Sequence, residues 1–223
     1  LFFKNINRIE SGSYLMIDTE KNSKAKVEKY WELPKVEAGD YIPSFEEAEE
    51  KLDFLLQNSV RKQLVSDVPL GVLLSGGLDS SLISSIASKF KNDLHTFSVS
   101  FSEKEYDESK KAKIVSDFIG SKHRDVKVDR NLFLENLDTV IKIKGAPASI
   151  PHEFALYYLS KEIKKDVSVL LSGEGADEFF GGYSRVQKSP FDFHLKEFFN
   201  PKFSEENFYN FFLGRYKWFS INE

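Results

Sequence analysis

Residues 75–81, Ser-Gly-Gly-Leu-Asp-Ser-Ser, follow directly on an apolar run, Val72-Leu73-Leu74. Gly76 and Gly77 have no Cβ, so their backbone N–H groups can approach an anion closely. The hydroxyls of Ser75, Ser80 and Ser81 add donors, and a helix starting near Ser80 would turn its positive end to the same point. Such a set suits a phosphate. It is not the common mononucleotide loop, because the G-x-x-x-x-G-K-[ST] spacing and its lysine are missing. A carboxylate inside the cradle, Asp79, would repel phosphate unless a cation stood between them. Mg²⁺ takes one or two carboxylates together with phosphate oxygens, so Asp79 is expected to reach a Mg²⁺ ion carried by a triphosphate. A second stretch, SGEGADEFFGGY at 172–183, offers Glu174, Asp177 and Glu178, any of which could complete the site from an opposite wall. A single Ser-Gly-Gly is more often a plain turn, and Glu178 alone reads best as a capping acid. The recurrence of a glycine-and-acid loop after two different strands is what favours a site.

Those two loops have to be brought together by the elements between them. Ser44 with Glu47 three residues on fits a capping box, and Phe45, Ala48, Leu52, Leu55, Leu56, Val60 and Leu64 recur at helical spacing. Then come a strand at 70–74, a helix at 80–90, the strand LHTFSVSF, and a helix from Asp107 to a glycine stop at Gly120. HRDVKV reads as a third strand, followed by a helix across 131–142, a loop through GAPASIP, a helix across 153–165 and the strand VSVLLS. The alternation predicts an α/β fold: an open, mostly parallel sheet with helices on both faces. With the spatial order 3-2-1-4, the first and fourth strands are neighbours and their loops flank one crevice. Ahead of this, residues 1–33 read as short strands (LFFKNI, YLMID, AKVEKYW) and 34–43 as a linker between two prolines. The aromatic stretch from Pro190 to Phe219 reads as the packed face of short helices whose cover lies elsewhere in a longer protein.

The 223 residues carry a formal charge of -4, which removes the broad electrostatic case for nucleic acid or an anionic membrane surface. No apolar run reaches the length of a membrane span, no secretory leader is visible at LFFKNINRIE, and a cytoplasmic location is expected. There is no cysteine, so disulfides, thiolate metal sites and a cysteine nucleophile are excluded within these residues. His95, His123, His152 and His194 are scattered without ligand spacing and are expected at the surface or in ordinary packing. The start at Leu1, without methionine, suggests an excerpt of a longer protein.

VPLGVLLSGGLDSSLIS and VLLSGEGADEFFGGY, in that order, resemble the synthetase domain of the glutamine-dependent asparagine synthetase family, within the wider PP-loop ATP pyrophosphatase group of adenine nucleotide alpha hydrolase-like folds. SGGLDSS alone would indicate only the wider group. LHTFSVSF, YDES and PHEFALYYLSKEI fit the same pattern. The resemblance implies a ligase that adenylates a carboxylate, aspartate in the namesake enzymes, with ATP and then forms an amide with ammonia from glutamine. Carried over by position, Ser75, Gly76, Gly77, Asp79, Ser80 and Ser81 would hold pyrophosphate, while Leu73, Val99, Ser172 and Gly173 would line the nucleotide site. Asp79 and Asp177 would bind Mg²⁺, and Glu174 would orient the reacting carboxyl and ammonia or accept a proton.

It also implies three divisions: the last strands of a glutaminase domain at 1–33, a linker at 34–43, and a synthetase domain at 44–223 that continues past Glu223. The glutaminase needs an N-terminal cysteine, so these residues are expected not to hydrolyse glutamine. Family members often carry Asp-Glu-Pro where this chain has Gly145-Ala146-Pro147, which leaves the acceptor pocket open. The family's downstream R-x-P-F-L-D region and its lysine lie outside, so this stretch alone is expected to bind nucleotide better than it turns it over. A relative acting on another carboxylate, such as a β-lactam-type synthetase, and a nucleotide-binding module without chemistry stay open here. So does the oligomeric state, a homodimer included.

Overall fold

The computed structural model describes residues 4–19, 25–34, 41, 43–103, 105, 107–147, 152–183, 188–200, 202–204 and 207. The polar tip at 20–24, most of the linker and the aromatic tail at 208–223 lie outside them. The alternating segments near the N-terminus pair as an antiparallel ribbon, β1 (Ser13–Met16) with β2 (Lys26–Lys29). Of the expected strand in LFFKNI, residues 1–3 lie outside the described residues; residues 4 and 5 are a turn, with Asn5 at φ 66°, and residue 6 is irregular.

Helix α1 (Phe45–Gln63) starts where its capping box places it. Ser44 Oγ accepts from Glu47 N at 3.2 Å, and the Glu47 carboxylate accepts from Ser44 N at 2.9 Å. The sheet follows in βα units: β3 (Leu70–Leu73), α2 (Leu78–Phe90), β4 (His95–Phe101), α3 (Ser109–Ile119), β5 (Lys122–Val128), α4 (Arg130–Lys144), α5 (His152–Ile163) and β6 (Val169–Leu171). Every pairing in this sheet is parallel, and the order across it is β5-β4-β3-β6. Counted from the first strand of the sheet, that order is 3-2-1-4; the upstream ribbon accounts for the shifted labels. A short α6 (Ala176–Phe180) and α7 (Ser189–Phe199) complete the described elements. None of the described helices is long and apolar enough to cross a membrane.

Side chains alternate across the strands, so each face of the sheet has its own core. Val72 packs with Val60 of α1 and Ile86 and Ala87 of α2 on one face. Phe97 and Val126 pack with Leu159 and Ile163 of α5 on the other. The apolar face of α1 is wider than α2 can cover. Val60 is buried, but Phe45, Leu52 and Leu55 of the expected stripe are exposed. In α7 the rings of Phe191, Phe198 and Phe199 are exposed as well.

Under α3 the sheet face is polar. Thr96, Ser98 and Ser100 of β4 are buried there. Thr96 Oγ1 lies 3.0 Å from His123 Nδ1, Ser98 Oγ lies 3.2 Å from His123 Nε2, and Ser98 Oγ donates to Asp125 Oδ1 at 2.6 Å. Burial pushes the His123 imidazole below its ordinary range, against an opposing pull from Asp125. A base whose folded pKa is depressed takes up its proton in the unfolded chain first. Stability is therefore unaffected well above pH ~6.5, declines as pH falls through the unfolded value, and the loss is complete below the folded value. The thermal midpoint of the wild type is expected to drop more steeply between pH ~7 and ~5 than that of His123→Asn, which has no proton to take up. Parallel profiles for the two proteins would refute this.

Candidate functional site

Strand β3 drives the chain into the crevice, and the buried Leu74, whose N donates to Phe97 O at 2.8 Å, extends the strand by one residue before the loop opens at Ser75. Gly76 turns the chain at φ 80°, a left-handed conformation that costs other residues energy. Gly77, extended at φ -72° and ψ 167°, is the N-cap of α2 and supplies no side-chain cap. The first-turn N–H groups of α2 are thus left without a side-chain cap, at the positive end of a helix of 13 residues. The helix begins at Leu78, two positions before the expected start, so Asp79 lies in its first turn and not in the loop. An acid there is favoured by the helix dipole.

Hydroxyls fix the loop internally. Ser75 Oγ and Ser80 Oγ are 2.9 Å apart, Ser75 N donates to Ser80 Oγ at 3.2 Å, and Gly77 N donates to Ser75 Oγ at 3.2 Å. The second loop arrives from β6, hydrogen-bonded beside β3 through the register Leu70↔Val169 to Val72↔Leu171. Its Gly173 presses on the first loop: a Cβ there would stand 3.0 Å from the Asp79 carbonyl carbon and from Ser80 N. Glu174 N donates to Ser172 Oγ at 3.4 Å, which aims the next turn.

Between the loops lies a cavity of about 210 Å³. Leu73, Ser75, Gly77, Asp79 and Ser80 line it from one side, and Ser172, Gly173 and Glu174 from the other. Val99 is not among its lining; with Leu73 and Ser75 it lines an adjoining cavity of about 210 Å³ at the ends of β3 and β4. Gly76 shapes the turn without facing the cavity. Ser81 is also outside the lining, and its Oγ is buried without a hydrogen-bond partner among the described residues.

Asp177 lines none of these cavities. Its carbonyl accepts from Gly181 N at 3.0 Å and Gly182 N at 3.2 Å, and its carboxylate lies against Gly182, in space that a Cβ would fill. Glu178 accepts from Tyr183 Oη at 2.7 Å, in keeping with a structural acid. Among the described residues no group of three or more His, Asp or Glu side chains converges as a metal cluster. A site built from one or two carboxylates would need phosphate oxygens to complete it.

Two features escaped the sequence. SGEGADEFFGGY contains a short helix, α6, bounded by Gly175 at φ 94° and Gly181 at φ 70°. In addition, a cavity of about 530 Å³ opens beside Asp79 and Glu174 and is walled by Leu52 and Leu56 of α1 and Phe179 and Phe180 of α6. The exposed width of the apolar pattern on α1 was the available signal for it.

A family model described as asparagine synthase matches residues 51–214. The chain belongs to that family. The match takes in both loops and the whole parallel sheet. Among curated relatives, asparagine synthetase [glutamine-hydrolyzing] 1 of Bacillus subtilis is 40% identical over 129 residues, covering 58% of this chain and 20% of the relative. Asparagine synthetase [glutamine-hydrolyzing] 3 of the same organism is 32% identical over 196 residues, covering 81% of this chain and 31% of the relative. This asparagine synthase family chain therefore spans about a third or less of the curated relatives it matches. Of solved structures, a glutamine-dependent NAD+ synthetase from Acinetobacter baumannii aligns with a TM-score of 0.43 at 18% identity, covering 76% of this chain and 31% of the other, too loosely to bear on fold or function.

Proposed function

We propose that this chain carries the adenylating centre of an ATP-dependent carbon-nitrogen ligase that converts aspartate to asparagine with ammonia drawn from glutamine. The observation that carries the reading is the convergence of the two loops on one cavity, with Gly173 against Asp79 and Ser80, in a chain of the asparagine synthase family. The donor set suits ATP. Uncapped N–H groups at the start of α2 and the Ser75 and Ser80 hydroxyls supply hydrogen bonds to phosphate oxygens.

In the reaction, an oxygen of the aspartate side-chain carboxylate attacks the α-phosphorus of ATP. The bond from that phosphorus to the bridging oxygen breaks, and pyrophosphate departs with the electron pair. Ammonia then attacks the activated carbonyl and AMP leaves. Ser75, Gly77 and Ser80 grip the pyrophosphate beyond the turn that Gly76 makes, and Leu73, Val99, Ser172 and Gly173 border the nucleoside and its α-phosphate. Glu174, on the wall facing the first loop, orients the carboxyl and the incoming ammonia and accepts the proton the amine sheds. Asp79 and Asp177 are the residues that would hold Mg²⁺, which supplies charge neutralisation of the departing pyrophosphate.

The reading extends to a glutaminase domain ahead of the 34–43 linker, with residues 1–33 as its last strands and 44–223 as synthetase domain. It includes a cytoplasmic location, and a homodimer is the assembly to look for by sedimentation. The deciding experiment measures pyrophosphate and AMP released from ATP by the full-length protein with Mg²⁺ and ammonia, with and without aspartate, and identifies the amide by mass. Aspartate-dependent release with asparagine formed is the expected result. Release that ignores aspartate, or none at all, would rule out the asparagine assignment.

A further inference from the structure

The cavities at the two loops have an unbalanced charge. Asp79, Glu174 and Glu108 line the three that adjoin, and no lysine or arginine does among the described lining residues. A triphosphate brings several negative charges of its own, and one divalent cation does not cancel them. The partial charge at the N-terminus of α2, roughly half an elementary charge, is too small to make up the difference. A cationic side chain from within this stretch would offset part of it beside whatever lies downstream, and the loop contains none.

One stands directly behind the loop. The missing Cβ of Gly76 is the space into which α3 packs: a Cβ there would stand 2.5 Å from Lys111 Cβ and 2.6 Å from Ala112 N. The Lys111 stem therefore starts in contact with the turn of the phosphate loop. Its Nζ lies 3.0 Å from Glu108 Oε1, in a pair about half exposed on both sides (65% and 50%). Glu108 in turn lines the cavity shared by Ser75 and Val99. An exposed pair of this kind is weak, and a flexible lysine stem can exchange one acceptor for another.

We infer that Lys111 is a phosphate-positioning residue, held beside the Gly76 turn by Glu108 and transferred to the polyphosphate of the bound nucleotide. The inference rests on the nucleotide reading above. Lys111→Ala keeps the Cβ that touches Gly76, so it removes the charge without opening the packing.

The test is Mg·ATP binding to the full-length protein, read together with the thermal midpoint of the unliganded form. Lys111→Ala is expected to weaken ATP roughly five- to tenfold with an unchanged midpoint and a shallower dependence on salt. Lys111→Arg should restore most of the affinity, and Glu108→Gln, which frees the amine, should bind ATP at least as tightly as wild type. ATP affinity unchanged in Lys111→Ala, or lost together with the midpoint and not restored by arginine, overturns the inference while leaving the nucleotide site intact. Failure of the wild type to bind ATP removes the nucleotide reading and this inference with it.

Discussion

Replacing Asp79 with asparagine is expected to lower aspartate-dependent pyrophosphate release by roughly a hundredfold or more, with the loss persisting at saturating ATP. The substitution keeps the size and shape of the side chain and removes its charge. Asp79 is exposed at the cavity wall, and its structural contribution is confined to the first turn of α2. Losing a favourable acid there costs about 0.3–1 kcal/mol, which in a chain of this size moves the thermal midpoint by only a few degrees. Activity and stability should therefore separate. Raising Mg²⁺ should recover part of the rate if the carboxylate is a metal ligand. A variant within severalfold of wild type would remove Asp79 from the chemistry.

The second large effect is on folding. Gly76→Ala is expected to destabilise the chain by about 2–4 kcal/mol in denaturant titration, because two costs coincide. The left-handed backbone at φ 80° strains any side chain, and the new methyl meets Lys111 Cβ and the backbone of α3 at 2.5–2.6 Å. Gly120→Ala is the internal control. It shares the positive φ, at 66°, but has no atom within 4 Å of the added Cβ, so it bears only the strain of about 1–2 kcal/mol. If the two variants were equally destabilised, packing of α3 on the phosphate loop would be energetically irrelevant.

The elements with local signals were legible before the structure. Ser44 and Glu47 mark the start of α1 by their own hydrogen bonds, and Gly120 ends α3 in the left-handed conformation that a glycine stop requires. The parallel sheet was readable from the alternation of units, and the meeting of the loops from the requirement that the first and fourth strands be neighbours. Signals that depend on neighbours were not legible. His123 resembles any surface histidine in sequence, yet Thr96 and Ser98 bracket it beneath α3. Asp177 and Asp79 look alike in sequence, and only the structure shows that Asp177 stands in a turn closed at Gly181 and Gly182 while Asp79 lines the cavity. Ser81 sits one position beyond Ser80, and that single step around the helix turns its hydroxyl from the cavity into the interior. Lys111 carried no signal, because its relation to the loop exists only through the space that Gly76 leaves open.

The contact of Gly173 with Asp79 and Ser80 also has a kinetic meaning. Strands β3 and β6 pair at Leu70↔Val169, about a hundred residues apart along the chain, whereas β3 with β4 and β4 with β5 close much shorter loops. Long closures form late when the shorter ones are favourable on their own. The first loop can thus be shaped as soon as β3 and α2 are in place, but the cavity has only one wall until β6 docks. A nascent chain that has emerged only as far as β5 would hold half of the proposed ATP site, and nucleotide would bind selectively to chains that have completed the last strand.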